Sequence, residues 1–405
     1  MPSVDIAHPP SYRALFAIDG FPRLVTSMML ARVAQQMVAL VLVLLALQRY
    51  GSAEVAGLVT FFAVAPGLVA APIAGALLDR HGRTRLVVLD YLVNAVALGL
   101  IGMLATLDAL PIPLFLVIVT VSSITSPMSN TGVRTLFPII VPARLWERAN
   151  AIDSNGYVVA SIFGPAAAGA LVAAFGPPAT LAGISSVFVL AALAASGLRD
   201  PGDRTEGRRL FREAWDGLVY VTRHRTLRVL AICVSTSNIS QGIFVIALPV
   251  LVLARFHAGA ELVGLLFALT GISGFVSVLL VGRISSRGRE AWFLAGSMLG
   301  MAVAFALVLV GAGSPLIVAV GMLVAGIANG PFDVALFTVR QRRTDPAWMG
   351  RAFAVSMALN FAGFPIGSAL GGAIVPVSIE LALGIAVVVN LVAAAMTALW
   401  LPRED

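Results

Sequence analysis

Gly75, Ala76, Leu77, Leu78, Asp79, Arg80, His81, Gly82, Arg83, Thr84 and Arg85 make a short polar stretch between two long apolar segments. Asp79, Arg80, Arg83 and Arg85 set four charges around a glycine, and each flanking run is long enough to cross a bilayer. Such a stretch reads as a tight loop at a membrane surface that joins two antiparallel spans.

The same alternation continues outward along the chain. Apolar residues make up 59% of the 405, and at about 20 residues per crossing this matches a dozen spans with short loops. The runs show little one-sided periodicity, as expected of helices surrounded by lipid and by one another. The expected spans lie near 23–47, 55–78, 86–107, 113–136, 150–173, 178–197, 229–253, 261–281, 291–311, 315–339, 350–374 and 377–400. One long connection, 198–228, separates an N-terminal six-helix bundle (1–197) from a C-terminal one (229–405). Within it, Asp200 to Arg204 reads as linker, while Phe211, Trp215, Leu218 and Thr222 share one face of a helix. That helix either lies on the membrane surface or packs on the bundle.

Charge excludes several classes of function. All 27 basic residues are arginine, so no Walker-type phosphate lysine and no Schiff-base lysine exists, and this chain alone cannot drive transport with ATP. The net charge of +7 is not a nucleic-acid patch. Apart from Arg32, Arg49 and Arg255, every arginine falls on the side that carries the two termini, which is the positive-inside pattern. A multi-pass membrane protein with both termini cytoplasmic is expected. The segment before span 1 lacks the apolar core and cleavage site of a signal peptide, so span 1 is expected to be retained. Cys233 is single, the four histidines lack metal-ligand spacing, and no nucleophile stands beside a base. Neither an enzyme nor a metal or organic cofactor is expected.

The two halves repeat. Arg49, Glu54, Gly57 and Gly82 recur as Arg255, Glu261, Gly264 and Gly288 at an offset of 206 to 207, and Arg148, Gly164 and Gly169 recur as Arg351, Gly367 and Gly372 at 203. Parallel halves with an even number of spans imply a pseudo-two-fold axis along the membrane normal and a binding site between them near the midplane.

The pattern Gly-x-Leu-x-Asp-Arg-x-Gly-Arg-x-Arg at 75–85 resembles the signature loop between spans 2 and 3 of the major facilitator superfamily. The resemblance implies an all-α fold of twelve transmembrane helices in two pseudo-symmetric bundles, working by alternating access. It also implies a gating role for Gly75, Asp79, Arg80, Gly82 and Arg83. Asp79 sits at the C-terminal end of its own helix, where the macrodipole disfavours an anion. In the superfamily the equivalent acid meets the N-terminus of span 11, here near Trp348, Met349 and Gly350; the alternative is a solvated acid paired with Arg80 or Arg83. In the second half Ser285 stands in its place.

The superfamily lines its cavity with spans 1, 4, 7 and 10. The candidates here are Arg32, Gln35 and Gln36 of span 1, Asn130 of span 4, Asn238 and Gln241 of span 7, and Asn329 and Asp333 of span 10, around a Gly330, Pro331 break. The span 4 serines are expected to bond between helices. Asp153 is expected to cap the first turn of span 5, and Asp90 to bond the loop arginines. Gly164, Pro165 and Gly169 resemble, in part, a helix-packing motif of proton-coupled drug antiporters, with Ala168 in place of one glycine. Together with 142–151, this region is most similar to the branch that holds the enterobactin exporter and related bacterial drug exporters.

The reading is an exporter of amphipathic small organic molecules, neutral or mildly cationic, with a proton as the coupling ion and a monomer in the lipid bilayer as the working unit. An uptake symporter or uniporter, and a transport-dead sensor or scaffold, remain alternatives.

Overall fold

The computed structural model describes residues 12–198, 200, 210–283, 288–345 and 348–402, without the side chains of 76, 79, 147, 210–214 and 349–354. Among these residues eleven helices are long and apolar enough to cross a membrane. One of them, Trp146–Ser196, is broken at Gly176, whose φ of 77° is left-handed, so it supplies two spans.

Spans 1 to 4 are Phe21–Tyr50, Ala53–His81, Arg83–Thr106 and Ile112–Ile140. Spans 5 and 6 are the two limbs of Trp146–Ser196. The central helix, Leu210–Arg223, leads into spans 7 to 10 at Arg225–Val250, Ala260–Val281, Glu290–Val310 and Pro315–Arg343. Span 11 is made of Met349–Phe361 and Gly363–Ile374, and span 12 is Ile379–Trp400. Both described chain ends and the central helix lie at one end of the bundle, here the terminal side; the opposite end is the distal side.

Several helices outrun the expected spans on the terminal side. Span 10 carries Arg340, Arg342 and Arg343 in its last turn, and span 5 begins at Trp146 after a 3-10 turn, Ala143–Leu145. A helix need not stop where the bilayer does, because its backbone bonds are internal in either solvent. Span 10 also runs through Pro331 without a break, which corrects the expectation at Gly330 and Pro331. Pro331 lacks an N–H and so frees the carbonyl of Ile327; the Ser277 hydroxyl of span 8 donates to that carbonyl at 2.7 Å.

Lipid offers no hydrophobic drive to bring helices together, so small residues set the packing. Span 1 packs on spans 5 and 6, span 3 on span 6, and span 2 on span 4; span 7 packs on span 11, and span 10 on spans 8 and 9. The halves meet through span 2 against span 11 and span 5 against span 8. At the first crossing a Cβ added to Gly57 would stand 2.8 Å from Gly372 Cα, and at the second a Cβ on Gly169 would stand 2.9 Å from Gly264 Cα. Both crossings lie in the distal half of the bundle. The two distal arginines are each paired, Arg49 with Asp108 at 2.9 Å and Arg255 with Glu380.

The central helix packs on the bundle rather than lying free of it. Gly217 and Val221 are buried, Tyr220 stacks on Trp348 at 4.9 Å, and the Asp345 N–H donates to Tyr220 Oη at 3.2 Å. Trp215 remains 64% exposed on the face expected to be apolar; the side chain of Phe211 lies outside the described residues.

Candidate functional site

A cavity of about 230 Å³ lies largely within the N-terminal half and reaches the C-terminal half at Val245 and Phe364. Its walls are mostly apolar, with Val38, Leu42, Val64, Leu98, Val119 and Phe188 from the N-terminal half and Val245 and Phe364 from the C-terminal half. Gln35, Asn94, Ser122, Ser123, Ser126 and Asn130 add amide and hydroxyl groups along one side. Three of these six, Asn94, Ser122 and Ser123, are already engaged between helices. Ser122 Oγ donates to Asn94 Oδ1 at 2.6 Å, and Ser123 Oγ accepts the Gly67 N–H at 3.0 Å.

Towards the terminal side, Gln35 and Asn130 also line a smaller recess with Arg32, Tyr91 and Tyr157. Here Arg32 is not a lone ion. Its guanidinium donates to Asp153 Oδ1 at 2.5 Å and to the Asp153 carbonyl at 2.6 Å, and lies 3.7 Å from the centre of the Tyr157 ring. Arg134 joins the cluster, with Nε 3.8 Å from Asp153 Oδ2 and its guanidinium 5.1 Å from the same ring. Asp153 is therefore not a first-turn cap. Its helix begins at Trp146, two turns earlier, and its carboxylate is the counter-ion that makes a guanidinium tolerable inside a span.

Asp90 also departs from expectation. Rather than reaching the loop arginines, it is 0% exposed and accepts a hydrogen bond from Asn94 Nδ2 at 2.9 Å, linking it to Ser122. The four C-terminal candidates lie outside the walls of this cavity. Asn238 Nδ2 donates to the Asn360 carbonyl at 2.9 Å and so fastens span 7 to span 11, while Gln241 and Asn329 are half-buried and Asp333 is exposed. In the N-terminal half, Gln36 packs against Gly164, where an added Cβ would meet Gln36 Cβ at 2.5 Å.

The signature stretch folds as a one-residue hinge. Span 2 ends at His81, Gly82 has φ of 92°, and span 3 starts at Arg83. No side-chain-bearing residue adopts that φ readily, which fixes the glycine. Arg83 turns to Asp200, whose carboxylate accepts the Arg83 N–H at 2.5 Å and lies 4.0 Å from its guanidinium. Asp200, expected in the linker, thus caps the N-terminus of span 3, where the helix dipole favours an anion. Arg80 is exposed, and a Cβ on Gly75 would meet nothing within 4 Å. Asp79 occupies the last turn of span 2 as expected, but its side chain, those of Met349 and Gly350, and Ser285 lie outside the described residues.

The family model described as Major Facilitator Superfamily matches residues 24–230 and again 230–405. The chain belongs to the major facilitator superfamily. Among relatives in that superfamily, an uncharacterized MFS-type transporter, y4rN, of Sinorhizobium fredii is 37% identical over 392 residues, covering 96% of each chain. The multidrug efflux pump Tap of Mycolicibacterium fortuitum is 28% identical over 375 residues, covering 89% of this chain and 90% of Tap. In three dimensions the chain is similar to a mutant form of the nucleoside transporter NupG, with a TM-score of 0.78 and 13% identity over 93% of this chain and 98% of that one. The last comparison speaks to the fold alone: an all-α, multi-pass membrane transporter fold of this superfamily.

Within this superfamily fold, Arg134 and Tyr157 are the site residues that sequence reasoning misses. Hydropathy counts Arg134 with the arginines outside the membrane, yet span 4 continues to Ile140. Its register holds the signal, because Ser126, Asn130 and Arg134 recur every four residues and so share one helix face.

Proposed function

We propose that the chain exports amphipathic small organic molecules, of drug or siderophore-like character, across the bacterial inner membrane by alternating access, with a proton as the coupling ion. The observation that carries this reading is the cavity of the N-terminal half that reaches Val245 and Phe364 of the other half, apolar on most of its wall with several amide and hydroxyl groups, which suits a molecule with an apolar body and a few hydrogen-bonding groups. The name of one relative, multidrug efflux pump, supports export. In this reading both termini are cytoplasmic, and the distal crossings of Gly57 with Gly372 and of Gly169 with Gly264 close the outer side. Asp333 carries the proton, Asp79 acts at the inner gate with Gly75, Arg80, Gly82 and Arg83, and the monomer is the working unit.

The test is a panel of amphipathic compounds in a bacterial host stripped of its own pumps, followed by flux in proteoliposomes under an imposed pH gradient. Expression is expected to lower accumulation of some members, and a gradient that drives protons opposite to the compound is expected to drive its movement. Raised accumulation would make the chain an importer. Binding without flux would make it a sensor.

A further inference from the structure

Arg134 is the group in the cavity region whose chemistry is least used. Its side chain is 53% exposed, and its contact with Asp153 is long, at 3.8 Å from Nε. Neither terminal nitrogen makes a hydrogen bond among the described residues. Asp153 does not need it, since Arg32 already holds that carboxylate at 2.5 Å. Two guanidiniums and one carboxylate leave the cluster with one positive charge in excess.

The position of that excess charge is set by helix register. Asn130 lines both the recess and the main cavity. Arg134 is four residues further along span 4, on the same face and about 6 Å nearer the terminal side. Arg134 is not itself in either wall, but it stands one helical turn beyond Asn130 and beside Tyr157 of the recess, so a planar fork of N–H donors lies just past the polar edge of the apolar cavity. A fork of this kind matches a carboxylate or phosphate oxygen pair, and Tyr157 supplies a ring beside it.

We infer that the cavity takes amphipathic molecules bearing an acidic group, held by Arg134 with Arg32 and Tyr157 behind it and the apolar body towards Leu42 and Phe188. The inference rests on reading this cavity as the transport site, and it departs from the neutral or cationic substrates that the sequence suggests. Asp153, which contacts both arginines, is the repulsive element, and Arg32 keeps it neutralised.

The test is equilibrium binding to the purified full chain in phosphatidylcholine nanodiscs, with no gradient imposed, so that failure of direction or coupling does not affect it. The probes are two matched pairs, 1-naphthaleneacetate with 1-naphthaleneacetamide and dansylglycine with its amide. Each acid is expected to bind roughly tenfold more tightly than its amide, the scale of one charge-assisted hydrogen bond. Arg134→Gln is expected to erase the difference and leave the amides unchanged, and Arg144→Gln, on the exposed terminal face, is expected to preserve it. Equal binding of acid and amide, no binding of either, or an acid preference that survives Arg134→Gln would each overturn the inference. The preference is also expected to persist when half the lipid is phosphatidylglycerol. Its loss there would assign Arg134 to lipid headgroups and overturn the substrate site, while efflux in cells would still report on the exporter reading.

Discussion

Gly57 and Gly372 approach so closely that a Cβ on the second would stand 3.0 Å from the Cα of the first, and the same approach recurs between Gly264 and Gly169. The two crossings are one contact used twice, because Gly57 and Gly264 are 207 residues apart and Gly169 and Gly372 are 203 apart, the offsets at which the halves repeat. The duplication visible in sequence is thus the physical basis of the distal closure. Gly57→Val is expected to hold the distal side apart. Overpacking costs about 1 to 3 kcal/mol, which shifts the open-to-closed ratio by about 5- to 150-fold. A cysteine at Ser52 in a Cys233→Ser background should then react faster with an impermeant thiol reagent. Gly384→Ala, which meets open space, should leave the rate unchanged; equal rates in all three would mean that the crossings do not hold the distal side shut.

The Arg32–Asp153 pair makes a separate prediction about stability. Both side chains are largely buried, so Asp153→Ala strands a guanidinium at a cost of about 3 to 5 kcal/mol. Replacing both at once, with Arg32→Met and Asp153→Leu, removes the charge together with its partner and is expected to recover most of that loss. Thermal unfolding of the purified protein in detergent measures it. A double variant no more stable than the single one would show that the pair is not the reason for the loss.

The proposed proton carrier, Asp333, is exposed on span 10 and takes part in no ion pair among the described residues. Asp333→Asn is expected to abolish accumulation against a gradient while sparing downhill exchange. Full pH-driven accumulation by this variant in proteoliposomes would remove Asp333 from the coupling path.

At the terminal side, Asp79 stands in the last turn of span 2, the wrong end of its own helix for an anion. A nearby span 11 N-terminus would stabilise it by about 0.3 to 1 kcal/mol when exposed and by up to about 2 kcal/mol when partly buried. The first segment of span 11 touches both span 2 and the central helix. Asp79→Asn is expected to widen the distance between spin labels on the terminal ends of spans 2 and 11 and to slow turnover, with binding in the cavity intact. Unchanged distances with normal transport would leave Asp79 a solvated acid.

The signature loop, the twelve spans and the duplication are all legible in the sequence because each depends on local polarity or on order along the chain. The charged cluster is not. Hydropathy ends a span where polarity begins, so it stops span 4 short of Ile140 and starts span 5 after Trp146. The late start of span 5 turns Asp153 into a cap, and the early end of span 4, at 136, leaves Arg134 in a last turn at the membrane surface. Nearness in sequence points Asp90 to the loop arginines, whereas its partner Asn94 lies one turn further along the same helix. Side-chain pairing across spans 1, 4 and 5 is a tertiary fact, and one sequence carries no record of it beyond helical register.

The junction after the central helix determines which moving body that helix belongs to. A single residue, His224, separates Arg223 from Arg225; its ring nitrogen accepts the Leu227 N–H at 3.4 Å, and Arg228 donates to the Thr222 carbonyl at 3.0 Å. With Tyr220 also stacked on Trp348, the helix is fastened to the C-terminal half by both its covalent and its aromatic contacts. The helix also touches span 2 of the N-terminal half, so it bridges the seam while its hydrogen bonds and ring stacking are with the C-terminal half. A fluorophore or fiducial domain placed on the central helix is expected to follow the C-terminal half, to which its stacked ring and hydrogen bonds belong, and an insertion meant to leave those contacts undisturbed belongs upstream of that helix.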